Sequence, residues 1–359
     1  MHSALARWRP SISWANHRSA LLLLMLAALL PLCLVVALAT GPVAISADQV
    51  LQSLGLAMTG GDISGQQDWI VRELRLPRAL LAMLVGAGLA IAGAITQGVF
   101  RNPLADPGLI GVSSGAALAA VAVIVLQGSS LAPYGALTGV FALPLAAFAG
   151  GLGVTWLIYR LSTRQGQTQM AMLLLAGVAI NVIAGALTGI LTYMADDQQL
   201  RTMTFWSMGS LAYGKWSEIM VLAFCIFIPL LALPRFAALL NALLMGEAVA
   251  GHLGFAVQSG KRWLIVAAAL MVGAGVAIAG MIGFIGLVVP HLLRLLMGPD
   301  HKALLPGSAL LGAALLLLAD TIARTWLAPA DLPVGLVMAI IGGPVFLSLL
   351  LQQARRVMA

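Results

Sequence analysis

Residues 234–263 read PRFAALLNALLMGEAVAGHLGFAVQSGKRW, the one long stretch where the chain stops being continuously apolar without becoming a loose loop. Leu239, Leu240, Leu243 and Leu244 recur at helical spacing, and Gly246 is suited to end that helix. Glu247 then stands where an acid favours a new helix N-terminus, and Gly251 and Gly254 break the second piece. Arg235 precedes the stretch and Lys261-Arg262 closes it. The pattern predicts short amphipathic helices lying along one side of a membrane.

The same stretch separates two copies of a phrase. Residues 85–93 read VGAGLAIAG and residues 272–280 read VGAGVAIAG, differing only at Leu89 against Val276. Two readings are open: an internal duplication, or independent reuse of the small residues that let membrane helices pack closely.

Composition decides the environment. Of 359 residues 61% are hydrophobic and only 9% charged, with a mean hydropathy of +1.02, which excludes a soluble domain and predicts a polytopic membrane protein. Cys33 and Cys225 lie far apart in apolar runs and suggest neither a disulfide framework nor a metal site. Arg7, Arg9 and Arg18 before an apolar run resemble a signal peptide, but the run from Ala20 to Ala39 is long enough for a retained span.

Apolar stretches of spanning length predict an all-α fold of about ten transmembrane helices, near 20–39, 76–97, 109–127, 135–159, 170–193, 217–234, 263–283, 285–297, 304–324 and 333–352. The split of 263–297 into two spans rests on Gly280, Gly283 and Gly286 as a turn. With the N-terminus inside, thirteen of the nineteen basic residues fall on the inner side. The outer six are Arg72, Arg75, Arg78, Arg201, Lys215 and Arg324. That bias predicts both termini in the cytoplasm and accounts for a sequence pI near 10.1 without nucleic acid.

The expected layout is a cytoplasmic segment 1–19, one transmembrane domain 20–352 and a cytoplasmic tail 353–359. Within the domain, repeat halves of about 76–193 and 263–352 flank a cytoplasmic loop 235–262. The first nonapeptide then runs inward and the second outward, so the five-helix repeats are inverted, an arrangement that points to transport.

Catalytic chemistry finds no support. The chain has no G-x-x-x-x-G-K-[ST] or H-E-x-x-H. Its five histidines, His2, His17, His252, His291 and His301, map near the cytoplasmic side without forming a cluster. Apart from Glu218 at the very edge of the sixth span, Asp320 is the one acid inside an expected span, with Arg324 four residues on, which reads either as a local ion pair or as an ion-coupling site. The scarcity of buried acids favours a driving force from outside the chain. FRNPLADPGLIGVSSGA (100–116) is dense in turn-formers and reads as a tight inner turn. Arg72, Arg75 and Arg78 form an outer basic rim, open to snorkelling or to docking of an acidic partner.

Together RLPRALLAMLVGAGLAIAG (75–93), FRNPLADPGLIGVSSGA (100–116), LLLAGVAIN (173–181), GEAVAGHLG (246–254), GFIGLVVPHLLR (283–294), DHKALLPGSALLGAALLLLADTIAR (300–324) and DLPVGLVMAIIGGPVFLSLLL (331–351) resemble the permease subunits of bacterial iron-chelate, haem and cobalamin ABC importers. The resemblance runs in order through almost the whole chain after residue 70.

It implies a homodimer in the bacterial inner membrane with the pathway on its axis. Two cytoplasmic ABC ATPase subunits would carry ATP and Mg, with no cofactor on this chain, and a periplasmic substrate-binding protein would sit above. The opening stretch becomes the ATPase-coupling loop, carried onto Gly246, Glu247, His252, Leu253 and Gly254. The docking arginines become Arg75, Arg78 and Arg324. The cytoplasmic gate falls on Asn102, Leu104, Met170 and Ala171, where Met170-Ala171 replaces the hydroxyl residues of cobalamin permeases. The 100–120 wording is most similar to haem permeases, with ferric siderophore and cobalamin as alternative cargoes. An ion-coupled secondary carrier and a passive channel or scaffold are the readings from other classes.

Overall fold

The computed structural model describes residues 11–56, 63–126, 141–212, 214–328 and 330–358, with side chains for those between 17 and 351. Arg7, Arg9 and the expected start of the fourth span at 135 lie outside the described residues, as do the side chains of Arg355 and Arg356.

In chain order the helices are α1 (Ser11–Ala39), α2 (Ala47–Ser53), α3 (Gly65–Trp69), α4 (Leu76–Phe100), α5 (Val112–Leu126), α6 (Ala142–Ser162), α7 (Met170–Tyr193) and α8 (Asp197–Met208). There follow α9 (Trp216–Leu231), α10 (Leu233–Leu244), α11 (Glu247–His252), α12 (Val257–Ala279), α13 (Ile285–Met297), α14 (His301–Trp326) and α15 (Val334–Met358). The strands among the described residues are β1 (Thr163–Arg164) and β2 (Gln167–Thr168), a tight antiparallel hairpin between α6 and α7.

Among the described residues seven helices are long and apolar enough to span a membrane, and α9 with α10 forms an eighth candidate bent by 57°. With the shorter apolar helices α5 and α13, every expected span has a counterpart. Details shift for physical reasons. A π-helical turn, Ile70–Arg75, joins α3 to α4, so the second span is preceded by helix rather than loop. The seventh ends at Ala279 instead of 283, because Gly280 takes φ 71 and breaks the helix there. The second left-handed residue of that turn is Phe284 at φ 69, not one of the expected glycines.

α4 is the centre of the bundle, packed against α14, α12, α13 and α9. It is almost wholly buried, whereas α1, α6, α7 and α15 leave most of their apolar surface exposed. Small residues make the close approaches possible. A Cβ on Gly93 would collide with the Gly286 carbonyl, and one on Gly86 with that of Gly312, so backbone meets backbone at both places. Val85 lies beside Gly275, and Gly88 beside Met271. Position falls on α12 as it rises on α4, so the two nonapeptide copies run antiparallel, as an inverted arrangement requires.

Candidate functional site

The segment after α9 folds as short helices. α10 buries Ala237, Leu239, Leu240, Ala242 and Leu243, and Asn241 pins it to the start of α14. The Asn241 amide donates to Asp300 at 2.6 Å, and its oxygen accepts from the His301 backbone and ring Nδ1, both at 2.9 Å. Gly246 at φ 109 turns the chain into α11, and Gly254 at φ 89 turns it out again. Both glycines stand in open space. Leu244, Met245, Val249 and Leu253 are exposed and form an apolar tip, with His252 exposed beside them. Glu247 makes an ion pair with Lys261 at 2.9 Å. A groove of about 920 Å³, lined by Arg235, Phe236, Phe255 and Trp263, runs alongside.

At the opposite end of α4 the three arginines expected to receive a partner, Arg75, Arg78 and Arg324, converge, engaged with the chain itself. Arg75 is buried and donates to the carbonyls of Leu38 at 2.6 Å, Ala39 at 3.0 Å and Val43. It thereby caps the orphan carbonyls at the C-terminus of α1. Arg324, also buried, donates to Ala37 O. Arg78 bridges Asp320 at 2.9 Å and Asp331 at 2.7 Å. Arg72 instead forms an exposed pair with Asp68 one turn earlier. Arg75, Arg78 and Arg324 all line a surface depression of about 560 Å³, together with Glu73, Lys215 and Asp331.

Asp320, expected beside Arg324, has Arg78 as its near partner, while the Arg324 nitrogen stands 3.9 Å away. Helical spacing finds the second contact but not the first. Lys261, expected as a basic residue closing a loop, is fully buried. Arg294, counted among the inner charges, hydrogen-bonds Gln97 of α4 at 2.9 Å between helices.

The expected gate residues occupy two places. Asn102 accepts from Leu104 N at 3.0 Å within the turn after α4, whereas Met170 and Ala171 begin α7. The turn meets α7 further along, where Gly177 receives the Leu109 carbonyl. Asn181 donates to Gly108 O at 3.3 Å and accepts from Ser114 at 2.5 Å. Within the turn Asp106 accepts from Gly108 N at 2.7 Å and lines a cavity of about 190 Å³ with Leu89, Val272, Val276 and Phe284. Burial pushes the Asp106 carboxyl above its ordinary range, against the backbone hydrogen bond that lowers it. Among the described residues no group of three or more His, Cys, Asp or Glu is placed to hold a metal ion.

Comparison with known proteins gives a consistent result. The family model described as the FecCD transport family matches residues 29–352. The hemin transport system permease protein HmuU of Yersinia pestis is 51% identical over 282 residues, covering 78% of this chain and 83% of that protein. The cobalamin import system permease protein BtuC of Halobacterium salinarum is 43% identical over 281 residues, 78% of this chain and 73% of the relative. The vitamin B12 import system permease protein BtuC of Salmonella typhimurium is 44% identical over 300 residues, 82% and 88%. A solved structure described as a metal-chelate type ABC transporter in an inward-facing conformation superposes with a TM-score of 0.77 at 33% identity, covering 92% of this chain and 98% of that one.

Proposed function

The chain belongs to the FecCD transport family and is the membrane-spanning permease of a metal-chelate type ABC importer, and on that premise we propose that its cargo is haem, carried from periplasm to cytoplasm. The observation that carries the haem assignment is the step in identity, 51% to a hemin permease against 43% and 44% to two cobalamin permeases. A route walled by apolar and small residues suits a bulky planar chelate. Ferric siderophore and cobalamin are the competing cargoes.

With no P-loop in the sequence, nucleotide and Mg bind on two separate ATPase subunits. These seat against the tip of α11, where Leu253 and Val249 stand exposed, and Gly246, Glu247, His252 and Gly254 give that helix its position and its freedom. Two copies of the chain flank the pathway. A periplasmic binding protein places acidic side chains over the depression lined by Arg75, Arg78 and Arg324. Asn102, Leu104, Met170 and Ala171 close the inner end. Loop charge supports placement in the bacterial inner membrane with both termini in the cytoplasm.

Reconstitution with the cognate ATPase and binding protein tests this reading. Haem-loaded binding protein is expected to stimulate hydrolysis and uptake. Stimulation by a siderophore or cobalamin without haem would overturn the cargo, and uptake driven by an ion gradient without ATPase would overturn the class.

A further inference from the structure

Deepening that reading of α11 as the coupling helix, we propose that Lys261 is a positioning residue that carries the movement of α11 to the start of α7, where the inner gate is placed. Its side chain is fully buried. An ammonium in that position is costly unless its donors are satisfied. Two of its three donors are taken, and by two different elements. One goes to Glu247 Oε2 at 2.9 Å, on the first residue of α11. The other goes to the backbone carbonyl of Thr168 at 2.9 Å, the last residue of β2.

Thr168 is held on its other side as well. Its N–H donates to Gln258 Oε1 at 3.0 Å, so the first two turns of α12 grip both backbone groups of one residue. Its hydroxyl lies 3.0 Å from that of Thr163 across the hairpin. Two residues later Met170 opens α7.

The two ends of this linkage differ in stiffness. α12 continues from Lys261 into the buried Leu264 and Ile265 and packs against α4, so the stem of Lys261 is fixed. α11 lies between Gly246 and Gly254, each at positive φ with no neighbouring atom close to it, so α11 can shift. A shift of Glu247 removes the carboxylate from a buried cation. The ammonium must then follow it or lean more heavily on Thr168 O, and either response loads the hairpin that sets the entry of α7. The proline-free link 163–170 is short enough to pass that load on.

Hydrogen exchange on the full-length chain in nanodiscs reads the link directly. Glu247→Gln is expected to speed exchange of the amides between 163 and 172 by roughly tenfold, the effect of weakening one charge-assisted hydrogen bond, although residue 247 touches none of them. Lys261→Met is expected to do the same, and the double variant no more than either alone. Unchanged exchange in Glu247→Gln would overturn the link, whatever Lys261→Met does to folding.

In the assembled importer, Lys261→Met and the milder Gln258→Leu are expected to retain ATP hydrolysis while cargo moved per ATP falls roughly tenfold, with Lys261→Arg recovering part of it. A purely structural Lys261 would lower thermal stability and leave both that ratio and the 163–172 exchange of Glu247→Gln alone, which would overturn the proposal. Exchange that responds while the ratio holds in every variant would support the link and overturn the coupling role of α11.

Discussion

Arg78 grips Asp320 from 242 residues away, with its Nε at 2.9 Å from one carboxylate oxygen and both nitrogens Nε and Nη2 within 3.1 Å of the other. The pair ties the start of α4 to the end of α14, antiparallel neighbours that touch again at Gly86 and Gly312. Asp320 is 3% exposed and Arg78 15%, so removing Asp320 leaves Arg78 with Asp331 alone and takes from the buried Arg324 its nearest carboxylate. Asp320→Ala is therefore expected to destabilise the chain by about 3 kcal/mol. Asp320→Asn with Arg78→Gln should cost clearly less. Thermal unfolding in detergent checks this, and equal losses for the single and double variants would refute it.

Asp331 competes for the same guanidinium at 2.7 Å and is 42% exposed. If the arginine cluster receives acidic side chains, Asp331→Asn frees the Nη1 of Arg78 while Asp320 holds the rest of the guanidinium, and should tighten binding-protein docking several-fold at low salt. The gain should shrink toward 1 M salt, where the Debye length falls to about 3 Å. Weaker docking in Asp331→Asn would argue that the binding protein uses another surface. Reversing Arg75 or Arg324 is the poorer test, because both hold the end of α1 together.

Leu253 is 57% exposed at the tip of α11. Leu253→Asp is expected to leave the thermal midpoint of the isolated chain unchanged, since an exposed leucine contributes little to the core. It should abolish co-purification of the ATPase, whose apolar contact it replaces with a charge. Retained co-purification would remove α11 from the interface.

Gly93 has the Gly286 carbonyl where a side chain would begin. Gly93→Leu is expected to cost more than the roughly 1–3 kcal/mol typical of overpacking, because the obstacle is backbone and cannot rotate aside. Gly153, with no atom within 4 Å of an added Cβ, gives the control. Gly153→Ala should raise stability by about 0.5–1 kcal/mol through helix propensity. Comparable thermal shifts of the same sign would contradict the packing.

Burial raises the Asp106 carboxyl above the ordinary carboxylate range. A raised acid favours folding when protonated, so its contribution is full below the unfolded value and is lost as pH rises through the folded one. Asp106→Asn keeps an oxygen for the Gly108 N–H and cannot ionise. It should therefore be more stable than the wild type at neutral pH, with the difference vanishing below about pH 4. Thermal midpoints measured from pH 4 to 8 decide it. A difference that widened on acidification would show the sign to be wrong.

The spans were readable because twenty apolar residues have few alternatives in lipid, and even α13, with only thirteen residues, was marked by glycines before it. The turn itself was less readable. Phe284 adopts φ 69 next to Gly283, which does not. Its side chain packs on Gly342 of α15, a tertiary contact that overrides local preference. The polar partners were hidden for a related reason. Lys261 looked like one more basic residue at a membrane edge, and its burial depends on Glu247 and on Thr168, 93 residues away. Arg75, Arg78 and Arg324 gather at one end of the bundle, but their engagement with Leu38, Ala39 and Asp331 comes from how α1 and the loop before α15 fold over them.

Where Gly86 meets Gly312 and Gly93 meets Gly286, no side chain lies between the helices to act as a bearing. Such a seam resists gliding, since a displacement of even one residue would drive a Cβ into a carbonyl. The helices α4, α13 and α14 therefore behave as a keel, and the alternation proposed for this permease falls to the lightly buried helices outside it, α6 and α7 among them.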